Sequence, residues 1–283
     1  MKLAVFGTTG QVATELRRRL PDDIGATFIG RERTDFSDPS APADALEGLD
    51  VDAVINAVAY TAVDRAESEP ELAHCVNAGA VAAIARRLAK TRTPLVHIST
   101  DYVFDGNGAA AWKPDDPVAP LGVYGQSKLA GETAVRHAGL PHCILRTSWV
   151  FSAHGSNFVK TMLRLGSERE RLSVVADQIG GPTPATAIAD AIFEIARALV
   201  TGHPGGTYHF AGAPDTPWAG FAREIFRQAE IDCAVDDILT DAYPTPARRP
   251  LNSRLDCETL MQEFGIDRPD WRLGLADVLK EIS

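Results

Sequence analysis

The sequence predicts an α/β protein in which a doubly wound parallel sheet is followed by a smaller C-terminal region. Three observations support this fold class. Short apolar segments alternate with longer amphipathic segments in the first half, a glycine-rich turn follows the first apolar segment, and the alternation ends near Trp149. Alternating strand and helix signals are typical of parallel sheets that helices cover on both faces.

Five short apolar segments are the predicted strands of this sheet. They lie at 3–6, 26–29, 53–57, 95–98 and 143–145. Nearly every side chain in them is apolar, whereas a half-exposed strand would alternate apolar and polar residues. The sequence therefore predicts a sheet that is buried on both faces.

Helices are predicted between these strands and again in the C-terminal part. They lie near 11–20, 76–90, 157–165 and 185–200. In the second helix, Val81, Ile84 and Leu88 recur at the spacing of one helix face. These helices would supply the two layers that cover the sheet.

The composition excludes several classes of protein. The chain has 283 residues and a formal net charge of −10, and an acidic balance argues against nucleic acid as a partner. The longest apolar run, at 53–63, is too short for the roughly 20 residues of a membrane span. The first apolar stretch is too short for a signal peptide, and the four cysteines are widely spaced, so we expect a cytoplasmic protein with reduced thiols and no membrane partner.

A glycine-rich segment directly after the first predicted strand predicts a cofactor site. Gly7 and Gly10 stand in the spacing GxxGxxA, with Gln11, Val12 and Ala13 opening a helix. Glycine lets the backbone approach a pyrophosphate, and a helix N-terminus favours its negative charge. The motif predicts a dinucleotide-binding sheet of the Rossmann type, although an ordinary strand–helix turn would have a similar pattern.

Two polar groups predict the chemistry. Tyr124 and Lys128 are four residues apart, so on a helix they would share one face. A nearby ammonium lowers the pKa of a phenol, which would suit Tyr124 as a general acid. Thr100 follows the fourth strand, where parallel sheets bind ligands, and its hydroxyl could donate to a substrate carbonyl. Alone, Thr100 would be an ordinary threonine at a strand end.

These motifs resemble those of the extended short-chain dehydrogenases/reductases, and within them those of the dTDP-4-dehydrorhamnose reductase family. The matching segments are GTTGQV (7–12), NAVAYTAVDRAESEP (56–70), VNA (76–78), STDYVFDG (99–106), YGQSK (124–128), RTSWVF (146–151), NFVKTMLRL (157–165), DQIGGPT (177–183) and ARRPLNSRLD (247–256). The resemblance extends over nearly the whole chain. It implies a dinucleotide-binding domain at 1–148 and a substrate-binding region at 149–283, part of which, within 178–201, would pack back on the first domain.

The resemblance implies NADPH-dependent reduction of the C4 ketone of dTDP-4-dehydro-6-deoxy-L-mannose to dTDP-L-rhamnose. Tyr124 would donate the proton, Lys128 would hold the nicotinamide ribose and lower the pKa of Tyr124, and Thr100 would polarise the ketone. Asp101 and Trp149 would contact the sugar. The implied cofactor-binding residues are Gly7, Gly10, Gln11, Val12, Arg31, Asp35, Phe36, Ala59, Tyr60, Thr61, Tyr124 and Lys128.

Cofactor choice is predicted from the end of the second strand. Gly30 offers no acid that would repel a 2′-phosphate, and Arg31 could pair with that phosphate. Glu32 would favour NADH if it reached the ribose, and Arg31 in solvent would leave both cofactors usable. The sequence therefore favours NADPH and keeps NADH as the alternative.

Other interpretations stay open. Glu15 could match a magnesium contact at a family dimer interface, but an exposed helix glutamate is the simpler interpretation, so no metal is assigned and a homodimer is an expectation only. The basic cluster of Arg248, Arg249 and Arg254 could hold a nucleotide diphosphate. A non-catalytic NADP-binding regulatory subunit of the same fold is the alternative function, followed by another nucleotide-sugar reductase or epimerase.

Overall fold

The computed structural model describes residues 1–282. Its strands are β1 (Lys2–Phe6), β2 (Gly25–Ile29), β3 (Ala53–Asn56), β4 (Leu95–Thr100), β5 (His142–Thr147), β6 (Val150–Phe151), β7 (Arg171–Val175), β8 (Ile179–Gly180), β9 (Thr183–Pro184), β10 (Gly205–His209), β11 (Thr216–Pro217), β12 (Ala234–Ile238) and β13 (Asn252–Ser253). Its helices are α1 (Gln11–Arg18), α2 (Ala41–Asp44), α3 (Val63–Ala66), α4 (Pro70–His74), α5 (Ala80–Ala89), α6 (Val123–His137), α7 (Phe158–Glu168), α8 (Ala185–Val200), α9 (Trp218–Gln228), α10 (Glu258–Phe264) and α11 (Trp271–Ile282).

A six-stranded sheet forms the centre of the protein. Its strand order is β2-β1-β3-β4-β5-β10, and every neighbouring pair is parallel. Strands β1, β3, β4 and β5 are almost entirely buried because helices cover both faces, as the continuous apolar segments predicted, whereas the edge strands β2 and β10 are partly exposed. The predicted fold class is confirmed, and all five predicted strands are present.

The two faces of the sheet bury separate apolar clusters. On one face Leu3, Val5 and Ile55 pack with the apolar side of α8, including Ile192 and Ile195. The opposite cluster joins alternate residues of the same strands to α5. This arrangement follows from the period of two in a strand, which turns successive side chains to opposite faces.

Two elements from beyond residue 148 belong to this central layer. Helix α8, which forms over the predicted range 185–200, packs against α1, and β10 pairs with β5 as an edge strand. The expectation placed part of 178–201, the region of α8, against the first domain, but it did not include β10, because that strand carries two glycines and has no strong apolar pattern. The division into 1–148 and 149–283 stays a prediction.

The predicted helix at 76–90 begins earlier than expected. Helix α4 starts at Pro70, continues through a π-helical turn at Cys75–Gly79, and runs on as α5. Proline is well suited to the first turn of a helix because its missing N–H has no partner there anyway. The π turn brings Asn77 inward, which matters for the site below.

The C-terminal region forms three small sheets and a third apolar cluster. The sheets are β11-β8-β13, β12-β7 and β6-β9. Phe151, Phe221 and Trp271 are buried together between α7, α9 and α11. Within residues 1–282, every helix is too short or too polar to cross a membrane.

Candidate active site

The candidate residues converge at the carboxyl edge of the central sheet. The strand order reverses between β1 and β3, and such a reversal opens a crevice where open α/β sheets bind ligands. The turn after β1, the loop after β3 and the end of β4 all face this crevice. Sequence spacing predicted the components, and the sheet topology brings them together.

The glycine-rich turn has the shape that a phosphate site needs. Gly7 has a φ of +115°, and a Cβ there would lie 3.2 Å from the Cβ of Ala13 and 3.6 Å from the Ala57 carbonyl. Gly10 is the N-cap of α1, and a Cβ at that position would meet no atom within 4 Å. The N-terminus of α1 is therefore open to an anion, and Ala13 affects packing against Gly7 rather than the opening.

The two residues after Gly10 bind the rest of the protein through their side chains. The Gln11 amide nitrogen donates to the Val150 carbonyl (3.3 Å), and its oxygen accepts from Asn157 (2.9 Å). Val12 packs on the apolar cluster below the sheet. Their contribution to a pyrophosphate would therefore come from backbone N–H groups.

Glu32 places a carboxylate at the end of β2, where Gly30 itself has no acidic side chain. A Cβ at Gly30 would overlap the Glu32 carboxylate and would lie 2.7 Å from the Thr8 hydroxyl, so Glu32 folds back onto the tip of the strand. Arg31 is exposed. The two side chains thus offer opposite preferences, with Glu32 suited to ribose hydroxyls and Arg31 to a 2′-phosphate.

Arg31→Ala is expected to remove the preference for NADPH. An added hydrogen bond to a charged group contributes about 1.5–3 kcal/mol, so the wild type should prefer NADPH about 10–100-fold in kcat/KM. Glu32→Gln is the matched variant and should raise the preference, because it removes charge repulsion from the phosphate. Kinetics with both cofactors measure the ratio, and an equal use of NADH by the wild type would contradict this role of Arg31.

The predicted adenine-flanking residues differ in exposure. Phe36 is buried and packs edge-on against Phe6 at 5.5 Å. Asp35 is exposed, and the backbone N–H of Ser37 that donates to its carboxylate lowers the pKa of Asp35. Their contacts to adenine stay a prediction.

Asn77 holds the loop after β3 that contains Ala59, Tyr60 and Thr61. Its Oδ1 accepts from the Tyr60 N–H (2.8 Å), and its Nδ2 donates to the Tyr60 carbonyl (3.1 Å) and to the Ser127 hydroxyl (2.9 Å). The loop is thereby joined to α6. Sequence reasoning quoted Asn77 only within a matching segment and gave it no role.

Tyr124, Lys128 and Thr100 lie together, as predicted. Tyr124 and Lys128 are on α6, and the Tyr124 hydroxyl shares a hydrogen bond with Thr100 at the end of β4. The Lys128 amine is 1 % exposed and donates to the Ile98 carbonyl (2.7 Å). Two glycines of α6, Gly125 and Gly131, allow this close approach because their faces contact neighbouring backbone.

The electrostatics differ from the expectation in one respect. Burial raises the pKa of Tyr124 to about 12, and the hydrogen bond with Thr100 opposes that rise only in part. Burial also lowers the pKa of Lys128 to about 8. The expectation that Lys128 lowers the pKa of Tyr124 is wrong, because desolvation dominates and the Lys128 amine donates to the Ile98 carbonyl. A tyrosine that keeps its proton at neutral pH can still donate it.

The chain matches the RmlD substrate binding domain family over residues 1–283. It is 44% identical to the dTDP-4-dehydrorhamnose reductase of Escherichia coli (strain K12), with 100% of this chain and 98% of that protein covered. The chain belongs to the RmlD family.

Solved structures of this family have the same fold. The dTDP-4-dehydrorhamnose reductase of Clostridium acetobutylicum superposes with a TM-score of 0.93 at 32% identity, covering 100% of this chain and 99% of the other. The corresponding protein of Bacillus anthracis, solved in complex with NADP, gives 0.92 at 33% identity, with 99% of each chain covered.

Asp101 and Trp149, the predicted sugar contacts of this RmlD-family chain, follow β4 and β5 at the same edge of the sheet. Asp101 is buried, its Oδ1 accepts from the Thr100 hydroxyl (3.0 Å), and its Oδ2 has no partner among residues 1–282. Burial raises the pKa of Asp101 to about 6. Trp149 has a φ of +49° and stacks on Trp218 at 3.5 Å, a partner that sequence reasoning missed.

The predicted basic cluster is divided by the fold. Arg249 donates to Asp64 (2.7 Å), and its Nη1 is buried without a partner in the described part of the chain. Its charge lowers the otherwise raised pKa of Tyr102, which places it beside the catalytic edge. Arg254 donates to Asn252 (3.0 Å), and Arg248 is exposed. Arg249 thus presents a buried, unpaired donor near Tyr102 in the described part of the chain.

Glu15 is not the exposed glutamate that the simpler interpretation assumed. It is 2 % exposed, and His154 Nε2 lies 3.2 Å from its carboxylate. One ligand atom each of Glu15, His154 and Glu281 could meet within 4.8 Å of one another. Arg18 already supplies a positive charge to this group, so the cluster does not by itself indicate a metal ion.

Proposed function

We propose that this RmlD-family protein is an NADPH-dependent reductase of the C4 ketone of dTDP-4-dehydro-6-deoxy-L-mannose, forming dTDP-L-rhamnose. The observation that carries the proposal is the hydrogen-bonded pair of Tyr124 and Thr100 at the carboxyl edge, with Lys128 one turn along α6. The relatives bear this activity in their names, and the Bacillus anthracis relative binds NADP.

The residues at the crevice fit a dinucleotide. The open N-terminus of α1 and the turn at Gly7 would hold its pyrophosphate through backbone N–H groups. Lys128 would hold the nicotinamide ribose, since its amine is buried at the same edge. When bound, the reduced nicotinamide supplies a hydride for the ketone carbon.

The chain's own residues would complete the reduction. The Thr100 hydroxyl would donate a hydrogen bond to the ketone oxygen, drawing electron density from the carbonyl carbon. As the oxygen becomes an alkoxide, Tyr124 would give it the phenolic proton, so that ketone, hydride and proton together form the alcohol. The Thr100 hydroxyl donates to Asp101, so its hydrogen must turn toward the ketone when the substrate binds.

The sugar and diphosphate would lie on the C-terminal side of the crevice. Asp101 has a free carboxylate oxygen for a sugar hydroxyl, and Trp149 lies close by, against Gly180. The unused Nη1 of Arg249 would donate to the diphosphate, since a guanidinium binds such oxygens in a planar fork. These contacts leave the thymine base without an assigned partner.

Trp149→Ala is expected to raise KM for the nucleotide sugar about tenfold with little change in KM for NADPH. Aromatic packing of this kind contributes about 0.5–1.5 kcal/mol beyond the buried area. Trp218→Ala is the matched variant, because it removes the stacking partner and leaves Trp149 in place. An unchanged KM for the sugar together with a lower Tm in Trp149→Ala would show that Trp149 serves packing alone.

The decisive experiment is NADPH oxidation with the dTDP-4-keto sugar made enzymatically, followed by sugar analysis of the product. Stoichiometric NADPH loss and a rhamnose product would support the reductase. NADPH binding without turnover would favour the regulatory-subunit alternative, and a different product sugar would indicate another nucleotide-sugar enzyme. The homodimer and the cytoplasmic location stay predictions, and no magnesium ion is proposed.

A further inference from the structure

A buried ion pair lies behind the catalytic helix. Glu132 is on α6, one turn beyond Lys128, and is 0 % exposed. Its carboxylate accepts from Arg146 Nε (2.9 Å) and Nη2 (2.7 Å), from Arg136 Nη2 (2.7 Å), and from the Ser99 hydroxyl (2.6 Å). Charge-assisted bonds of this geometry are among the stronger polar contacts in proteins.

Arg146 extends the same network to a second part of the chain. It is on β5, is 1 % exposed, and donates from Nη1 to the Pro114 carbonyl (3.1 Å). Its guanidinium lies over the Phe104 ring at 5.0 Å. His209, 3.4 Å away, is no competing charge, because burial and Arg146 lower its pKa to about 3. Glu132 is therefore the acid that compensates Arg146.

One carboxylate thus joins the two elements whose residues must meet at the ketone. Ser99 directly precedes Thr100 on β4, whereas Glu132 is on the helix of Tyr124 and Lys128. Reacting groups need to be placed within a fraction of an ångström, and a misplacement of about 1 Å can cost about 10²-fold in rate. The bond between Ser99 and Glu132, at 2.6 Å, connects these two elements directly behind the proposed reacting groups.

The negative charge of Glu132 also acts on the Lys128 amine. The amine lies 3.4 Å from neutral His97 of β4 and donates to the Ile98 carbonyl of the same strand, at 2.7 Å. Burial lowers the pKa of Lys128, and the charge of Glu132 opposes this change. Loss of the carboxylate would therefore lower the pKa of Lys128 further.

We propose that Glu132 is a positioning residue of the reductase: its bonds to Ser99 and Arg146 hold α6, and with it Tyr124 and Lys128, against the end of β4. The proposal rests on the proposed function, since it assumes that Tyr124, Lys128 and Thr100 carry the reaction. It assigns to Glu132 an effect on the reaction that a purely structural ion pair would not have.

The test follows the titration of Lys128 by NMR in protein labelled at lysine Cε, with Lys128→Met to identify its signal among six lysines. In Glu132→Gln, the midpoint of Lys128 should move about one pH unit to the acid side, and kcat/KM should fall about 10²-fold with its basic limb shifted equally. Ser99→Ala is the matched control. It removes one bond and no charge, so it should lower kcat without moving the midpoint.

A second variant is needed in case Glu132→Gln fails to fold, because Glu132→Gln leaves Arg146 buried and unpaired. Glu132→Gln/Arg146→Met removes one charge of each sign, so its Lys128 midpoint should return toward the wild-type value while kcat/KM stays low, because the bonds that hold α6 are lost. A folded double variant with the wild-type kcat/KM, or a folded Glu132→Gln with the wild-type Lys128 midpoint and pH profile, would overturn the proposal. The NMR midpoint needs no turnover, so a failure of the proposed function, seen as an inactive wild type, remains separate from a failure of this inference.

Discussion

Tyr124→Phe is expected to lower kcat about 10²–10⁴-fold while folding and NADPH binding are retained. The variant removes only the phenolic hydroxyl, which shares a hydrogen bond with Thr100 at the carboxyl edge of the sheet. Burial raises the pKa of Tyr124 to about 12, so the residue carries its proton throughout the neutral range. Steady-state NADPH oxidation measures the fall in kcat. NADPH fluorescence titration checks that cofactor binding is retained, and a Tm measurement checks that folding is retained.

Tyr102→Phe provides the control for this variant. The Tyr102 ring lies edge-on to Tyr124, with ring centroids 5.4 Å apart, so the change removes a neighbouring hydroxyl from the same surroundings. It should retain most of kcat. If Tyr124→Phe kept more than about a tenth of the wild-type kcat, Tyr124 would not be the proton donor.

Gly131→Ala is expected to destabilise the protein by about 3 kcal/mol, which corresponds to a fall in Tm of roughly 6–12 °C. A Cβ at Gly131 would overlap the carbonyl oxygen of Asn77, and backbone of the π turn cannot move aside as a flexible side chain could. The shift would also disturb the Asn77 bonds to Tyr60 and Ser127. Activity should fall with stability, because α6 would be pushed away from its neighbours.

Gly25→Ala is the matched control for the added methyl group. A Cβ at Gly25 would meet no atom within 4 Å, so its Tm should stay near that of the wild type. Thermal unfolding of both variants gives the comparison. Equal Tm values for Gly131→Ala and Gly25→Ala would show that α6 can relax at Gly131 without cost.

The strands and the catalytic trio could be predicted because their signals are local. A strand buried on both faces must be apolar along its length, so the five predicted segments needed no knowledge of their neighbours. The Tyr124–Lys128 spacing places both groups on one helix face. Thr100 was predicted from its place at the end of β4, where the topology of parallel sheets puts ligands.

The missed features depend on partners that are distant along the chain. Asn77 and Ser127 are 50 residues apart, and Gln11 and Asn157 are 146 residues apart. Trp218 follows Pro217 at the start of an ordinary amphipathic helix, and nothing local shows that it stacks on Trp149. Glu32 was weighed beforehand, but only its folded-back conformation at Gly30 puts the carboxylate at the tip of β2.

The sequence by itself determined the fold class, the glycine turn after β1 and the pairing of Tyr124 with Lys128 on one helix, because these follow from hydrophobic periodicity and short spacings. Only the tertiary structure decided the charge state of that pair. Desolvation depends on every neighbour that excludes water, and at Tyr124 and Lys128 it outweighs the interactions that their spacing predicts. For the same reason Glu132, an unremarked residue of α6 in the sequence, becomes the carboxylate that joins β4, β5 and the catalytic helix.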